Sequence, residues 1–205
     1  MCSKQLFLAL FSLVLLSSCA SSYKSINPNT FEFTNTEITE DVVLKYRYNV
    51  LRERRNKKFA KDEDQNNLRL MAVEITNNSN QEILLGDNLK LYNGDSEVQL
   101  VSPLSAKSDL RQCAGCYIPY ALLTLLNLNI QNGNRITSIP IGLVVGPLVT
   151  GANIITASNA NRRLKNAMIR FDLLNKTILP GKTETGLITI STREYPALKP
   201  RLILK

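Results

Sequence analysis

From Gln112 to Asn161 the chain runs through fifty residues with one charged side chain, Arg135. Two apolar stretches lie inside this segment, Tyr117 to Ile130 and Ile136 to Ala157, separated by the turn sequence Gln131-Asn132-Gly133-Asn134. So much apolar chain must be covered by the rest of the fold, by a bilayer or by a partner. It reads as an apolar hairpin inserted into a domain. A helix fits residues 152–168, where Ile155, Leu164 and Met168 fall roughly on one side. Elsewhere in the hairpin, periodicity does not separate helix from strand. Three readings are open. The hairpin is core; or its apolar side enters a membrane interface, with Arg162, Arg163 and Lys165 meeting headgroup phosphates at about 1 kcal/mol each; or it spans. Against spanning, Pro140, Gly142, Gly146, Pro147 and Gly151 interrupt a helix, and Thr150, Asn153 and Thr156 are polar.

The flanking sequence reads as an all-β domain. Val42, Leu44, Tyr46, Tyr48 and Val50 alternate with Val43, Lys45, Arg47 and Asn49, the period of a half-buried strand. Leu68–Thr76 is apolar on both faces, as a central strand would be. Short strands are expected at 83–85, 89–92 and 98–101, around the alternating Ile169, Phe171 and Leu173, and at 185–192. Turn clusters such as Asn77–Asn80 and Pro180-Gly181 separate them. Many short strands at this spacing indicate a β-sandwich rather than βαβ units. The chain has 205 residues and no His, which removes imidazole-based catalysis and ligation.

At the other end of the chain, Lys4 precedes an apolar run, Leu6–Leu16, too short for a bilayer core of about 30 Å but suited to a signal peptide. The next residues, Leu16-Ser17-Ser18-Cys19, resemble the lipobox of bacterial lipoproteins. That resemblance implies a diacylglyceryl thioether on Cys19, cleavage before it, and acylation of the new amino group. Two or three acyl chains, at about 0.8 kcal/mol per buried methylene, hold a protein firmly on a membrane. The residue after Cys19 is Ala20 rather than the Asp of an inner-membrane retention signal, and Ser21–Ser25 lacks an acidic export tag. Both features favour the outer membrane and a face toward the periplasm. Residues 19–40, rich in Ser, Thr and Asn, read as the lipidated Cys and a flexible tether of about 20–25 Å reach. Residues 41–205 then form the sandwich, with the apolar insertion at about 112–165.

The run Ala72–Asn80, with the later Leu179-Pro180-Gly181-Lys182-Thr183 and Gly186–Ile190, is similar to the telokin-like immunoglobulin domains of many bacterial lipoproteins. The resemblance implies an immunoglobulin-like β-sandwich used in binding or assembly, and it brings no catalytic residues.

Chemistry-bearing motifs are few. Cys113-Ala114-Gly115-Cys116 is a C-x-x-C; without a strand–helix context it reads as a local disulfide, with redox activity and free thiols as the alternatives. Zinc would need more ligands than the two thiols supply. Arg52, Arg54, Arg55, Lys57, Lys58 and Lys61 crowd ten residues between two strands. They read as an exposed loop, either self-neutralised by Asp62-Glu63-Asp64 or touching a membrane or polyanion. Nucleic acid is not an expected partner, since few aromatics interleave the cations. Carboxylates such as Asp87 or Glu184 give no readable catalytic spacing. The sequence therefore points to a non-enzymatic, lipid-anchored envelope protein, an assembly or accessory module with an envelope protein as partner. It carries no cofactor beyond its covalent lipid. The alternative is a periplasmic protein enclosing an apolar or lipid-like ligand.

Overall fold

The structure is a computed structural model that describes residues 19–203; the signal peptide read at residues 1–18 lies outside them. In chain order a 3-10 turn (Pro28–Thr30) leads to β1 (Asn35–Ile38), β2 (Val42–Arg47), α1 (Val50–Glu53), α2 (Lys57–Gln65) and β3 (Leu68–Asn77). Short strands β4 (Ile83–Leu84), β5 (Leu89–Asn93), β6 (Ser96–Glu97) and β7 (Leu100–Val101) precede α3 (Pro103–Asp109). A 3-10 helix (Gly115–Leu125), β8 (Leu128–Asn132) and β9 (Arg135–Ile139) then lead to the long α4 (Gly142–Arg170). The chain closes with β10 (Thr177–Ile178), β11 (Thr183–Ser191) and β12 (Lys199–Leu202).

These elements fall into two compact units. The larger holds Tyr23–Arg111 and the chain from Asn161 onward; the smaller holds residues 19–22 and Gln112–Ala160. In the larger unit an antiparallel sheet runs β1-β2-β3-β11-β7, beside a second sheet β12-β5-β6 and the pair β10-β4. On β2 the alternation works as read: Val42, Leu44 and Tyr46 are buried and Val43, Lys45 and Arg47 half-buried. β3 is buried on both faces between β2 and β11, which explains its uninterrupted apolar run. Side chains from both sheets and from the β10-β4 pair join one apolar cluster, among them Leu44, Met71, Ile75, Leu89, Ile178 and Ile188.

Asn77 joins the two stretches on which the immunoglobulin resemblance rests. Its side-chain amide donates to the carbonyls of Gln81 (2.8 Å) and Ile178 (2.9 Å), and its carbonyl accepts from Gly181 N–H (2.8 Å). Gly186 is required by packing, because a Cβ there would stand 2.4 Å from the Phe171 carbonyl oxygen.

Four expectations change. The architecture is mixed, because α1 to α4 together with the two 3-10 helices add slightly more helix than the antiparallel sheets add strand. The cationic stretch is helical rather than a loop. β2 ends at Arg47, the left-handed φ of 61° at Asn49 turns the chain into α1, and Leu51, Phe59, Ala60 and Glu63 are then buried. The alternation at Ile169–Leu173 is no strand: α4 runs to Arg170, and Asp172 makes only an isolated bridge with Leu187. The flexible tether is instead a packed segment. Tyr23, Ile26 and Phe31 are buried, Tyr23 meets the Phe59 ring edge-on at 6.3 Å, and β1 pairs with β2. Three large apolar side chains in a polar stretch suffice to order it, because each one buried removes about 1.5–3 kcal/mol of apolar exposure.

Candidate functional site

Cys19 is exposed and stands outside the one disulfide of the described residues. The chain just after it is fixed. Ala20 N–H donates to Asn153 Oδ1 at 2.7 Å, and Asn153 Nδ2 donates to the Val149 carbonyl at 2.8 Å, so the buried amide is satisfied on both sides. Ser21 is gripped at both backbone groups: its N–H donates to Gln112 Oε1 (3.0 Å) and its carbonyl accepts from Gln112 Nε2 (2.7 Å). A second amide repeats the device within the larger unit. Asn56 Oδ1 accepts from Lys24 N–H (2.8 Å) while its Nδ2 donates to the Lys24 carbonyl (2.9 Å). Each primary amide supplies one acceptor and one donor, the pair a neighbouring strand would offer.

The smaller unit, which holds Cys19, has inverted polarity. The buried positions of α4 in this unit are Gly142, Gly146, Asn153, Ala157 and Ala160, all small or polar. A Cβ on Gly142 would lie 2.3 Å from the Leu123 carbonyl oxygen, and one on Gly146 2.6 Å from Thr124 N. Those two glycines therefore let α4 lie directly against the 3-10 helix. Apart from the buried Tyr117 and Leu123, most large side chains point outward: Leu122, Leu125, Ile136, Leu143, Val144 and Leu148 are each at least 61% exposed. Of twenty exposed large apolar side chains among the described residues, fourteen fall in residues 112–160. The hairpin β8-β9 is exposed along its whole length, with Leu128 opposite Ile139 and Ile130 opposite Thr137. Gly133, at φ 59°, supplies its turn. α4 is also long and apolar enough over part of its length to cross a membrane by composition alone.

Cys113 and Cys116 are disulfide-bonded, closing the turn ahead of the 3-10 helix, where Tyr117 is buried and stacks on Tyr120 at 6.2 Å. Of the cations of 52–61, Lys58 and Lys61 both stand near Asp62. Arg52 pairs with Asp64, and Arg54 stacks over Phe31 (4.7 Å) and donates to Thr30 Oγ1. Arg55, Lys57 and Lys61 are exposed and Lys58 is half-buried. In the larger unit's portion of α4, Arg162 and Arg163 are exposed and Lys165 half-buried. Arg163 and Arg170 line a cleft of about 350 Å³ with Tyr23, Asn166 and Phe171.

Two acids of α2, read in sequence as neutralising an exposed loop, are half-buried (Asp62) and buried (Glu63). Burial pushes the Glu63 carboxyl up to about 8, against the opposing pull of its bond from Leu70 N–H (2.5 Å) and of Arg69. Burial likewise raises Asp62 to about 6 despite Lys61 and Lys58. The signal was the spacing Phe59, Ala60, Glu63, which sets the acid on the apolar face of a helix. Glu184 is ion-paired with Lys176 and lines an open cleft of about 400 Å³ with Arg170 and Asp172. Among the described residues no three His, Cys, Asp or Glu side chains gather as a metal site.

No protein-family model, curated protein or solved structure matches this chain.

Proposed function

We propose that the chain is a lipid-anchored protein of a bacterial cell envelope, held on the outer membrane through acyl groups on Cys19 and facing the periplasm. There it acts without catalysis, as an assembly or accessory module. The carrying observation is Leu16-Ser17-Ser18-Cys19 behind an apolar run of signal-peptide length. The exposure of Cys19 supports the reading, since an acylated sulfur must reach the bilayer. The grip of Asn153 on Ala20 and of Gln112 on Ser21 supports it further, because the anchored end is then tied to the smaller unit rather than free to swing. Part of the same proposal is that the larger unit is an immunoglobulin-like sandwich. The apolar cluster shared by its sheets and the Asn77 link between the two resembling stretches support that architecture. Growth with labelled palmitate tests the anchor. The wild type takes up label and stays with membranes, whereas Cys19→Ser takes up none. Equal labelling of the two overturns the assignment.

A further inference from the structure

We infer that the smaller unit is itself embedded in the membrane: the outward apolar side chains of the 3-10 helix, of β8-β9 and of α4 up to Ile155 sit in the acyl layer of one leaflet. The inference rests on the proposed anchor for its location, but the first two of the three observations that carry it are independent of Cys19.

The first observation is the inversion of polarity. A helix at a water surface hides its large aliphatic residues and shows its polar ones. α4 between Gly142 and Ala160 does the opposite, burying Asn153 with glycines and alanines while showing Leu143, Val144, Leu148 and Ile155. Small residues inside and large ones outside is the pattern expected where the surrounding medium is as apolar as leucine, so that association relies on close backbone approach. The second is charge. Between Gln112 and Asn161 only Arg135 carries one, and it sits at the tip of the β8-β9 hairpin, beside Gly133-Asn134. The rim of a patch meant for a water-soluble partner is polar and commonly charged, whereas the polar residues of this segment are amides and hydroxyls with a single charge among them. The third is continuity. Ala20 and Ser21 are hydrogen-bonded to Asn153 and Gln112 of this same unit, so acyl chains on Cys19 would enter the bilayer where the unit's leucines are. Arg162, Arg163 and Lys165, the first cations after the apolar stretch in sequence, suit anionic headgroups.

Geometry limits the depth. From Leu143 to Ile155 α4 advances about 18 Å at 1.5 Å per residue, well short of an acyl core of about 30 Å. Thr150, Asn153 and Thr156 also interrupt its apolar character. Tilted from the membrane normal, the segment fits one leaflet of about 15 Å.

The test uses the wild-type chain in the membranes of cells that express it. An apolar photoactivatable aryl azide is partitioned into the acyl phase, and palmitate is labelled in the same sample. Trypsin then isolates the smaller unit in two peptides, Gln112–Arg135 and Ile136–Arg162, with Leu70–Lys90 reporting the larger unit. Embedding predicts photolabel per residue at least about tenfold higher in the first two peptides than in the third. Replacing Leu122, Leu125, Leu143 and Leu148 together by Gln should remove most of that label and leave palmitate uptake unchanged. Palmitate without photolabel in 112–162 overturns the embedding and leaves the anchor standing. Photolabel without palmitate supports the embedding and overturns the anchor. Equal photolabel in all three peptides overturns the embedding, as does self-association of the chain that shields the two peptides from the probe.

Discussion

In the larger unit, β2 turns Val42, Leu44 and Tyr46 inward and leaves Lys45 and Arg47 outside; in the smaller unit, α4 turns Gly146, Asn153 and Ala157 inward and leaves Leu143 and Leu148 outside. The buried amides of Asn77 in the larger unit and Asn153 in the smaller are satisfied, and both units are built of regular elements, so the inversion is not a failure to fold. The same residue types have been sorted against two different surroundings. The sharpest way to break this comparison is to delete the same side chain in each unit. Leu44→Ala, at a site with no exposure, should cost about 3 kcal/mol in urea unfolding. Leu143→Ala should stay within about 0.5 kcal/mol, because it empties no packed space. Equal costs would show that the leucines of the smaller unit are packed against protein after all.

The larger unit's interior should also reject charge, and Glu63 reports on that. Its folded carboxyl titrates at about 8, above the ordinary glutamate value, chiefly because burial disfavours the anion. For an acid raised in this way the folded state holds a proton that the unfolded chain has already released. Stability is therefore full below the unfolded value and falls as pH rises through about 8. Glu63→Gln keeps an oxygen for Leu70 N–H and removes the titration. The variant should match the wild type near pH 4.5 and exceed it by about 2 kcal/mol near pH 8.5, read from urea midpoints at the two values. A wild type whose stability rises over that range would mean that Arg69 and Arg52 hold the group ionised instead.

Periodicity exposed the parts of this molecule that bury one regular face. The alternation of β2, the unbroken apolar run of β3 and the hairpin turn at Gln131–Asn134 each stand where the pattern puts them. It missed elements stabilised by contacts distant in sequence. Tyr23, Ile26 and Phe31 lie among serines and asparagines, and nothing local says that the Phe59 ring will meet Tyr23. The charge of residues 52–61 masked a helix whose apolar face is only Phe59 and Ala60. At the candidate site the apolar character was legible, but its direction was not. Which side of α4 faces inward depends on where the 3-10 helix approaches, and a pattern reader expects large residues inside. The glycines that decide it, Gly142 and Gly146, read in sequence as helix breakers.

Those glycines give a finer test. Gly→Ala inside a helix normally stabilises by about 0.5–1 kcal/mol. Gly151, with nothing near a built Cβ, should follow that rule. Gly146 should reverse it, since its Cβ would meet the Thr124 backbone at 2.6 Å and force the two helices apart, a strain of about 1–3 kcal/mol. The readout is protease sensitivity of residues 112–160, with that of the larger unit unchanged. If both alanines stabilise, α4 and the 3-10 helix are not in close contact, and the inverted packing loses its basis.

The smallest effect separates the two amide clamps. Asn56→Ala and Gln112→Ala each strip one residue of both its side-chain partners, Lys24 in the larger unit and Ser21 in the smaller. A bare backbone pair that cannot reach water costs about 1–3 kcal/mol, and a pair that can costs far less. Lys24 is exposed, so Asn56→Ala should cost about 1 kcal/mol or less and speed amide exchange at Lys24. Ser21 is half-buried, so Gln112→Ala should cost about as much in solution, about 1 kcal/mol, with exchange quickening at Ser21 alone. Reconstitution into vesicles of phosphatidylethanolamine and phosphatidylglycerol should widen the Gln112→Ala effect and leave the Asn56→Ala effect as it was. Only an end of the chain that sits against acyl groups loses the water that would otherwise take the amide's place. Equal responses of the two variants to vesicles would put both clamps in the same aqueous surroundings and remove the contrast between the units.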